Sequence, residues 1–189
     1  MAIWPLSRRF WRTRTPPEPR SSGCSGTSSR TDPVQVRPYA GCLTWLAGLP
    51  AEIRLSLPDG TGVLLVHAAP GTDDGPGIFA EQSDEELRAA GVASAGAQGV
   101  GLVVVGHTHV PMDRTVDLVR VVNLGSVSVP VTPDPRAMWT LLTADQDGWT
   151  LDHRRTAYDL DQVIADLHAV GHPSAGWLAS KMGRARPTP

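Results

Sequence analysis

The sequence predicts an α/β fold, and three features support this class. Two short apolar runs, Val63–Val66 and Leu102–Val105, have the length and the β-branched content of buried strands. Between them, Ser83 and Glu86 form the capping pattern that begins a helix, which predicts a strand–helix–strand crossover with parallel strands. The chain has 189 residues, enough for one domain with a sizeable core.

The crossover helix is expected to run to about Ala90 and to stop at Gly91, and loose Ala- and Gly-rich sequence then leads to Gly101. A second helix is predicted after the cap residue Asp159, with an apolar stripe that ends at Gly171. Alternating patterns around turn residues predict three hairpins. They pair Glu52–Leu57 with the strand in Gly62–Pro70, Met112–Asp117 with Val119–Asn123, and Arg136–Ala144 with Trp149–Ala157.

Residues 1–43 show neither strand nor helix periodicity, and we expect them to form a disordered leader rich in Arg, Pro and Ser. Residues 1–40 carry seven arginines against two carboxylates, whereas the rest of the chain is net acidic. Three explanations of the leader stay open: a basic tail that binds a partner, an Arg-rich organellar presequence, or translation out of frame. The folded domain is expected over residues 44–181, followed by a frayed tail over residues 182–189.

Composition narrows the classes of function. The net charge of −2 offers no electrostatic case for binding nucleic acid. No apolar run approaches the ~18 residues of a membrane span, and the first residues lack the apolar core of a secretory signal. Cys24 and Cys42 fit reduced thiols, although a disulfide between them stays open. These features predict a cytoplasmic protein.

Three histidines directly follow the two predicted parallel strands. His67 comes after Val66, and His107 and His109 come after the glycine that ends the second strand. Ligand sites of parallel sheets lie at the carboxyl ends of the strands, so we expect the three imidazoles to face one pocket. Imidazole is a common ligand of divalent transition metals, and the pattern therefore predicts a metal site at His67, His107 and His109.

The turn at Asn123–Ser126 supports a further prediction. Backbone amides and the Ser126 hydroxyl in the turn Asn123–Ser126 suit an anion, which makes Asn123, Gly125 and Ser126 candidate substrate-binding residues, although an ordinary turn stays open. Asp73 and Asp74 are expected in a solvated loop, although a role in lending an oxygen ligand to a metal ion stays open. The other histidines are expected to be surface or packing residues; they are His153, His168 and His172.

Three of these motifs, in their order along the chain, resemble those of a known protein family. Val66-His67, then Gly106-His107-Thr108-His109-Val110-Pro111, then Asn123-Leu124-Gly125-Ser126 resemble the calcineurin-like metallophosphoesterases, most of all the small bacterial phosphodiesterases. The resemblance covers about residues 44–181 and implies part of a four-layer α/β/β/α sandwich. It also implies metal-dependent hydrolysis of phosphomono- or phosphodiesters, and a small-molecule phosphoester as the partner.

The resemblance further implies divalent ions, which in this family are Mn, Zn, Fe, Ni or Mg and act in pairs. His67 and His107 would bind one ion and His109 the other. Leu124 stands where the family usually has proline, and Ser128 where it often has glycine. Both differences are mild.

The larger departure lies upstream, because residues 1–43 contain none of the family's Asp-x-His, Gly-Asp and Gly-Asn-His motifs. We therefore expect only the C-terminal half of the fold, one metal ion or none, and impaired hydrolysis. An exposed sheet edge would favour self-association. Two alternatives stay open: a non-catalytic remnant or protein-interaction module of the same fold, and an adaptor that acts through its basic leader.

Overall fold

A computed structural model describes residue 45 and residues 47–183. From Pro50 onward these residues form one compact unit, while Trp45 and residues 47–49 belong to a separate one. The predicted leader, with Cys24 and Cys42, and the last six residues lie outside the described part of the chain. No helix within the described ranges has the length and apolar character required to cross a membrane.

The main sheet has five strands in the order β1-β2-β3-β5-β4. In chain order they are β1 (Glu52–Ser56), β2 (Gly62–Val66), β3 (Val100–Val105), β4 (Met112–Val116) and β5 (Val119–Asn123). The pairs β1–β2 and β4–β5 are antiparallel, which confirms two predicted hairpins. Strand β3 runs parallel to both β2 and β5, which confirms the crossover. The carboxyl ends of these three central strands therefore meet at one edge of the sheet.

The crossover begins as predicted and then differs. Helix α1 (Asp84–Leu87) starts with a capping box, in which the Ser83 hydroxyl accepts from the Glu86 amide and the Glu86 carboxylate accepts from the Ser83 amide. A wide helical turn over Arg88–Val92 then leads into helix α2 (Ala93–Ala97). The expectation of loose sequence after Gly91 is therefore wrong.

Gly91 breaks the helical geometry, as predicted, with a φ of +96°. A Cβ atom there would lie 2.6 Å from the carbonyl oxygen of Pro70, so only glycine fits this kink. The helix resumes because Val92 and Ala95 are buried in the core, and such packing outweighs the weak helix propensity of the Gly-rich segment.

Both faces of the main sheet are covered, which explains why its central strands are continuously apolar. On one face, Val103 and Val105 pack in a cluster with Leu87 of α1. On the other, Leu102 and Val104 pack against a two-stranded sheet formed by β6 (Ala137–Asp145) and β7 (Gly148–Thr156). This hairpin was predicted to within one residue at each end. Helices, main sheet and hairpin sheet form successive α/β/β layers, in agreement with the predicted class.

Two helices follow. Helix α3 (Leu160–Ala169) is capped by Asp159, whose carboxylate accepts from the Gln162 amide at 2.9 Å, as predicted. Helix α4 (Ala175–Gly183) was not predicted and extends into the segment expected to be a tail. Its local signal is weak, but Met182 is buried, so tertiary packing stabilises the end of this helix.

Candidate metal centre and adjoining pocket

Backbone hydrogen bonds continue between the chain segments that follow the central strands. The Gly106 amide, just after β3, donates to the His67 carbonyl, just after β2, at 2.9 Å. On the other side, the Leu124 amide after β5 donates to the Val105 carbonyl at 3.2 Å. These bonds extend the sheet by one residue, so the segments that carry the predicted site residues leave it side by side.

His67 and His107 form a direct pair at this edge. The Nδ1 atom of His107 lies 3.1 Å from the Nε2 atom of His67, and the ring centroids lie 5.0 Å apart with the planes nearly perpendicular. The other nitrogen of His107, Nε2, lies 2.8 Å from the carbonyl oxygen of Gly75. A carbonyl only accepts, so Nε2 carries the proton. In the neutral ring, the Nδ1 lone pair of His107 therefore points at His67.

His109 is oriented by a separate contact. Its Nδ1 atom donates to the Val129 carbonyl at 2.9 Å, which leaves Nε2 as the unprotonated nitrogen of the neutral ring. Both His107 and His109 have left-handed backbone conformations, with φ of +63° and +62°. The chain thus curls into a tight loop instead of continuing β3. Positive φ at residues with a side chain is costly and often marks a functional loop.

The structure brings together two of the three predicted metal ligands. No hydrogen bond or ring contact joins His109 to the His67–His107 pair in the described ranges. Nor do those ranges contain a group of three or more His, Cys, Asp or Glu side chains placed to hold a metal ion. Asp73 and Asp74 lie in an exposed loop, as expected.

The remaining histidines lie elsewhere. His153 on β7 contacts Thr140 at 2.9 Å and Asp113 at 3.2 Å, which gives it a packing role between the two sheets. His172 follows helix α3 and accepts from the Ser174 amide.

Asn123 is fully buried at the end of β5. Its Nδ2 atom donates to the Gly106 carbonyl at 2.6 Å and to the Thr108 hydroxyl at 2.9 Å, while its Oδ1 atom accepts from the Gly125 amide at 3.0 Å. Both amide hydrogens are therefore used inside the protein. Asn123 acts as a brace that fixes the loop between His107 and His109.

Gly125 and Ser126 are also engaged internally. Gly125 has a φ of +75°, and a Cβ atom there would lie only 2.5 Å from the Met138 sulfur, so this position requires glycine. The Ser126 hydroxyl accepts from the amides of Ser128 and Val129 at 3.3 and 3.2 Å. It thereby positions the residue whose carbonyl orients His109. Substrate contact by Asn123, Gly125 and Ser126 stays a prediction.

A pocket of about 530 Å³ opens beside this loop. Sequence reasoning missed Trp177 and Lys181, which line it from helix α4. The available signal was that Lys181 is the only lysine of the chain and follows Trp177 by four residues, a spacing that places both on one helix face. The full lining consists of His107, Thr108, His109, Val129, Pro130, Val131, Thr132, Pro133, Trp177 and Lys181.

Comparison with known proteins agrees with this architecture. The family model of the calcineurin-like phosphoesterase superfamily domain matches residues 37–147. A metallophosphoesterase from Sphaerobacter thermophilus is similar with a TM-score of 0.60 and 20% identity, over 85% of this chain and 71% of that protein. A hypothetical protein from Pyrococcus horikoshii also has a TM-score of 0.60, at 16% identity, over 74% of this chain.

The chain spans about half, 52%, of the Pyrococcus protein. At these identities, the likeness to the solved structures establishes the fold alone. No curated protein shows a significant match to the chain.

Proposed function

Because the chain belongs to the calcineurin-like phosphoesterase superfamily, whose model matches residues 37–147, we propose that it hydrolyses phosphomono- or phosphodiesters with a bound divalent metal ion. The observation that carries this proposal is the pairing of His67 and His107 at the carboxyl ends of β2 and β3. Parallel sheets bind ligands at this edge.

The pair suits one metal ion. Two imidazole nitrogens bound tetrahedrally to Zn²⁺ at about 2.0–2.1 Å lie roughly 3.3–3.4 Å apart. The observed separation between His67 Nε2 and His107 Nδ1 is 3.1 Å, so an ion can replace the shared proton with a small adjustment. The bond from His107 Nε2 to the Gly75 carbonyl is the kind of outer contact that fixes the tautomer of a ligating histidine.

When bound at this position, a divalent ion would supply Lewis-acid polarisation of a phosphoryl oxygen and would stabilise the charge that develops on it. The chain's own residues hold and orient the groups around it. His67 and His107 would provide the nitrogen ligands, and the Val129 carbonyl orients His109 with its Nε2 atom unprotonated, so that this nitrogen can accept a hydrogen bond or bind a metal ion. Asn123 keeps the loop in the strained conformation that this arrangement needs.

The proposal is tested with bis-p-nitrophenyl phosphate for diesterase activity and p-nitrophenyl phosphate for monoesterase activity, each with added Mn²⁺ or Zn²⁺. We expect metal-stimulated release of nitrophenolate that is lost in His67→Ala, His107→Ala and His109→Ala. The matched control is His168→Ala on helix α3, outside the pocket, which should keep the wild-type rate. Equal rates in His107→Ala and the wild type would overturn the proposal.

A second candidate function is a non-catalytic interaction module of the same fold. The observation that favours it is the lack, within the described residues, of a third His, Cys, Asp or Glu ligand near the pair. This candidate predicts no turnover with either nitrophenyl ester and less than one bound metal ion per chain. Metal content of the purified protein, measured by plasma mass spectrometry, separates the two candidates.

We further propose that the protein works in a reducing compartment such as the cytoplasm. Support comes from its two cysteines, which are too few for a disulfide framework. Thiol titration of freshly lysed cells tests this point, since two free thiols are expected per chain.

A further inference from the structure

We propose that the pocket beside the histidine loop binds phosphoesters that carry a planar aromatic group, such as nucleoside monophosphates, with Lys181 at the phosphate and Trp177 against the aromatic ring. This inference rests on the proposed function, because the pocket is lined by His107 and His109 and the inference names the class of phosphoester that would bind beside them. Trp177 and Lys181 lie on helix α4, beyond residues 37–147 that the family model matches.

The first support is the charge of Lys181. Each arginine in the described ranges forms an ion pair with a carboxylate; they are Arg54, Arg88, Arg114, Arg120, Arg136, Arg154 and Arg155. Lys181 forms no such pair with any described residue, yet it lines the pocket together with His107 and His109. A cation that no described carboxylate neutralises, placed beside two imidazoles, favours an anionic ligand, and phosphate is the anion that the proposed function requires.

The second support is the exposure of Trp177. Its side chain is 57% exposed, so the indole can present a flat apolar face to a ligand. The Lys181 ammonium lies 5.5 Å from the Trp177 ring centroid, a cation–π distance that keeps the charge next to the ring. One ligand can therefore place a phosphate at the ammonium and a flat ring on the indole.

The third support is the size of the pocket and the apolar part of its lining. The pocket measures about 530 Å³, within the usual range for small-molecule sites of about 300–1,000 Å³. The lining also includes four apolar residues of one segment: Val129, Pro130, Val131 and Pro133. Such a surface suits an aromatic group better than it suits inorganic phosphate or a simple sugar phosphate.

The test measures binding of three probes by calorimetry, with EDTA present so that no ester is hydrolysed. Adenosine 5′-monophosphate carries both groups, ribose 5-phosphate lacks the base, and adenosine lacks the phosphate. We expect adenosine 5′-monophosphate to bind about tenfold more tightly than ribose 5-phosphate, because stacking of one base on an aromatic side chain lowers the Kd by about this factor. Trp177→Leu should remove this preference, whereas Trp177→Phe should keep part of it.

Lys181→Gln should weaken the monophosphate and ribose 5-phosphate alike and leave adenosine unchanged. The matched controls are Trp139→Leu on β6 and Arg54→Gln on β1, neither of which lines the pocket, and both should bind like the wild type. All four positions are partly exposed, so the variants should fold, and circular dichroism checks this.

A second readout uses Lys181 as the only lysine of the chain. Acylation by N-acetoxysuccinimide, quantified by peptide mass spectrometry against the N-terminal amine, should slow at Lys181 when adenosine 5′-monophosphate is added. Equal affinity for the monophosphate and ribose 5-phosphate, or unchanged acylation, would overturn the inference. Hydrolysis of the nitrophenyl esters without this binding selectivity would support the proposed function and overturn the inference about the pocket. Selective binding without hydrolysis would support the inference about the pocket and overturn the proposed function.

Discussion

The side-chain amide of Asn123 donates to the hydroxyl of Thr108 at 2.9 Å and thereby ties the end of β5 to the centre of the histidine loop. The same amide nitrogen also donates to the Gly106 carbonyl at 2.6 Å. Because the residues on either side of Thr108 have positive φ, the loop is strained and needs such a brace. The positions of His107 and His109 thus depend on Asn123, which is not itself a proposed metal ligand.

Replacing Asn123 with alanine should lower the free energy of unfolding by about 2–4 kcal/mol, because buried groups that now have partners are left without them. Urea denaturation measures the change. Asn123→Asp retains the size and the acceptor for the Gly125 amide but loses both donors, so it should also destabilise the protein. A loss below about 0.5 kcal/mol in both variants would contradict the bracing role.

Thr108→Val should weaken metal binding by roughly tenfold, the lower end of what loss of an outer contact costs a metal site. The substitution keeps the side-chain shape but removes the hydroxyl that accepts from Asn123 and lies 3.4 Å from the Val110 amide. Competition for Zn²⁺ with a chelating dye measures the affinity. Thr108→Ser keeps the hydroxyl and should bind Zn²⁺ like the wild type. Weak binding by Thr108→Ser would contradict the role of the hydroxyl and show that the packing of the Thr108 methyl group matters instead.

Asp113 should make stability depend on pH. The guanidinium of Arg120, followed by the imidazole of His153, holds the pKa of Asp113 below its ordinary value of 3.8. A lowered folded-state pKa contributes stability that is fully present above 3.8 and is lost as the pH falls through the folded value. The wild type should therefore have a higher free energy of unfolding than Asp113→Asn at neutral pH. This difference should disappear as the pH falls below the folded-state pKa of Asp113.

Denaturant titrations at neutral pH and at pH values below 3.8 check this expectation. Arg120→Gln removes the larger cause of the lowered pKa and should shrink the gap at neutral pH. A gap that stays constant over the whole range would contradict it.

Strand β1 should support self-association, because among the described strands it pairs only with β2 and lies at an edge of the main sheet. Ile53 on this strand is 42% exposed. Open edges with apolar side chains pair readily with other chains, and an edge lysine suppresses this. Sedimentation velocity should show dimers that grow with concentration in the wild type and are reduced in Ile53→Lys. Monomers at all concentrations would contradict the expectation.

Local patterns predicted most of the fold. Apolar runs placed β2 and β3, turn residues placed the hairpins, and capping residues such as Ser83 and Asp159 marked the helix starts. These features depend on neighbours within a few residues, so they can be read directly from the sequence. They also placed His67 and His107 at adjacent strand ends, where the structure pairs them.

The rest depends on contacts between residues far apart in the chain. The brace from Asn123 to Thr108, the bond from His109 to the Val129 carbonyl, and the position of Lys181 beside the pocket all need the folded structure. Helix α4 and the resumed helix after Gly91 are stabilised by burial of a few side chains, which propensity alone does not reveal.

The central claim is that His67 and His107 share one divalent ion. It is tested most directly by long-range ¹H–¹⁵N spectra of the histidine rings during titration with Zn²⁺. We predict that Zn²⁺ shifts the His67 Nε2 and His107 Nδ1 resonances together, while the resonances of His153, His168 and His172 stay unchanged. Shifts confined to those three outer histidines, or none at saturating Zn²⁺, would contradict it.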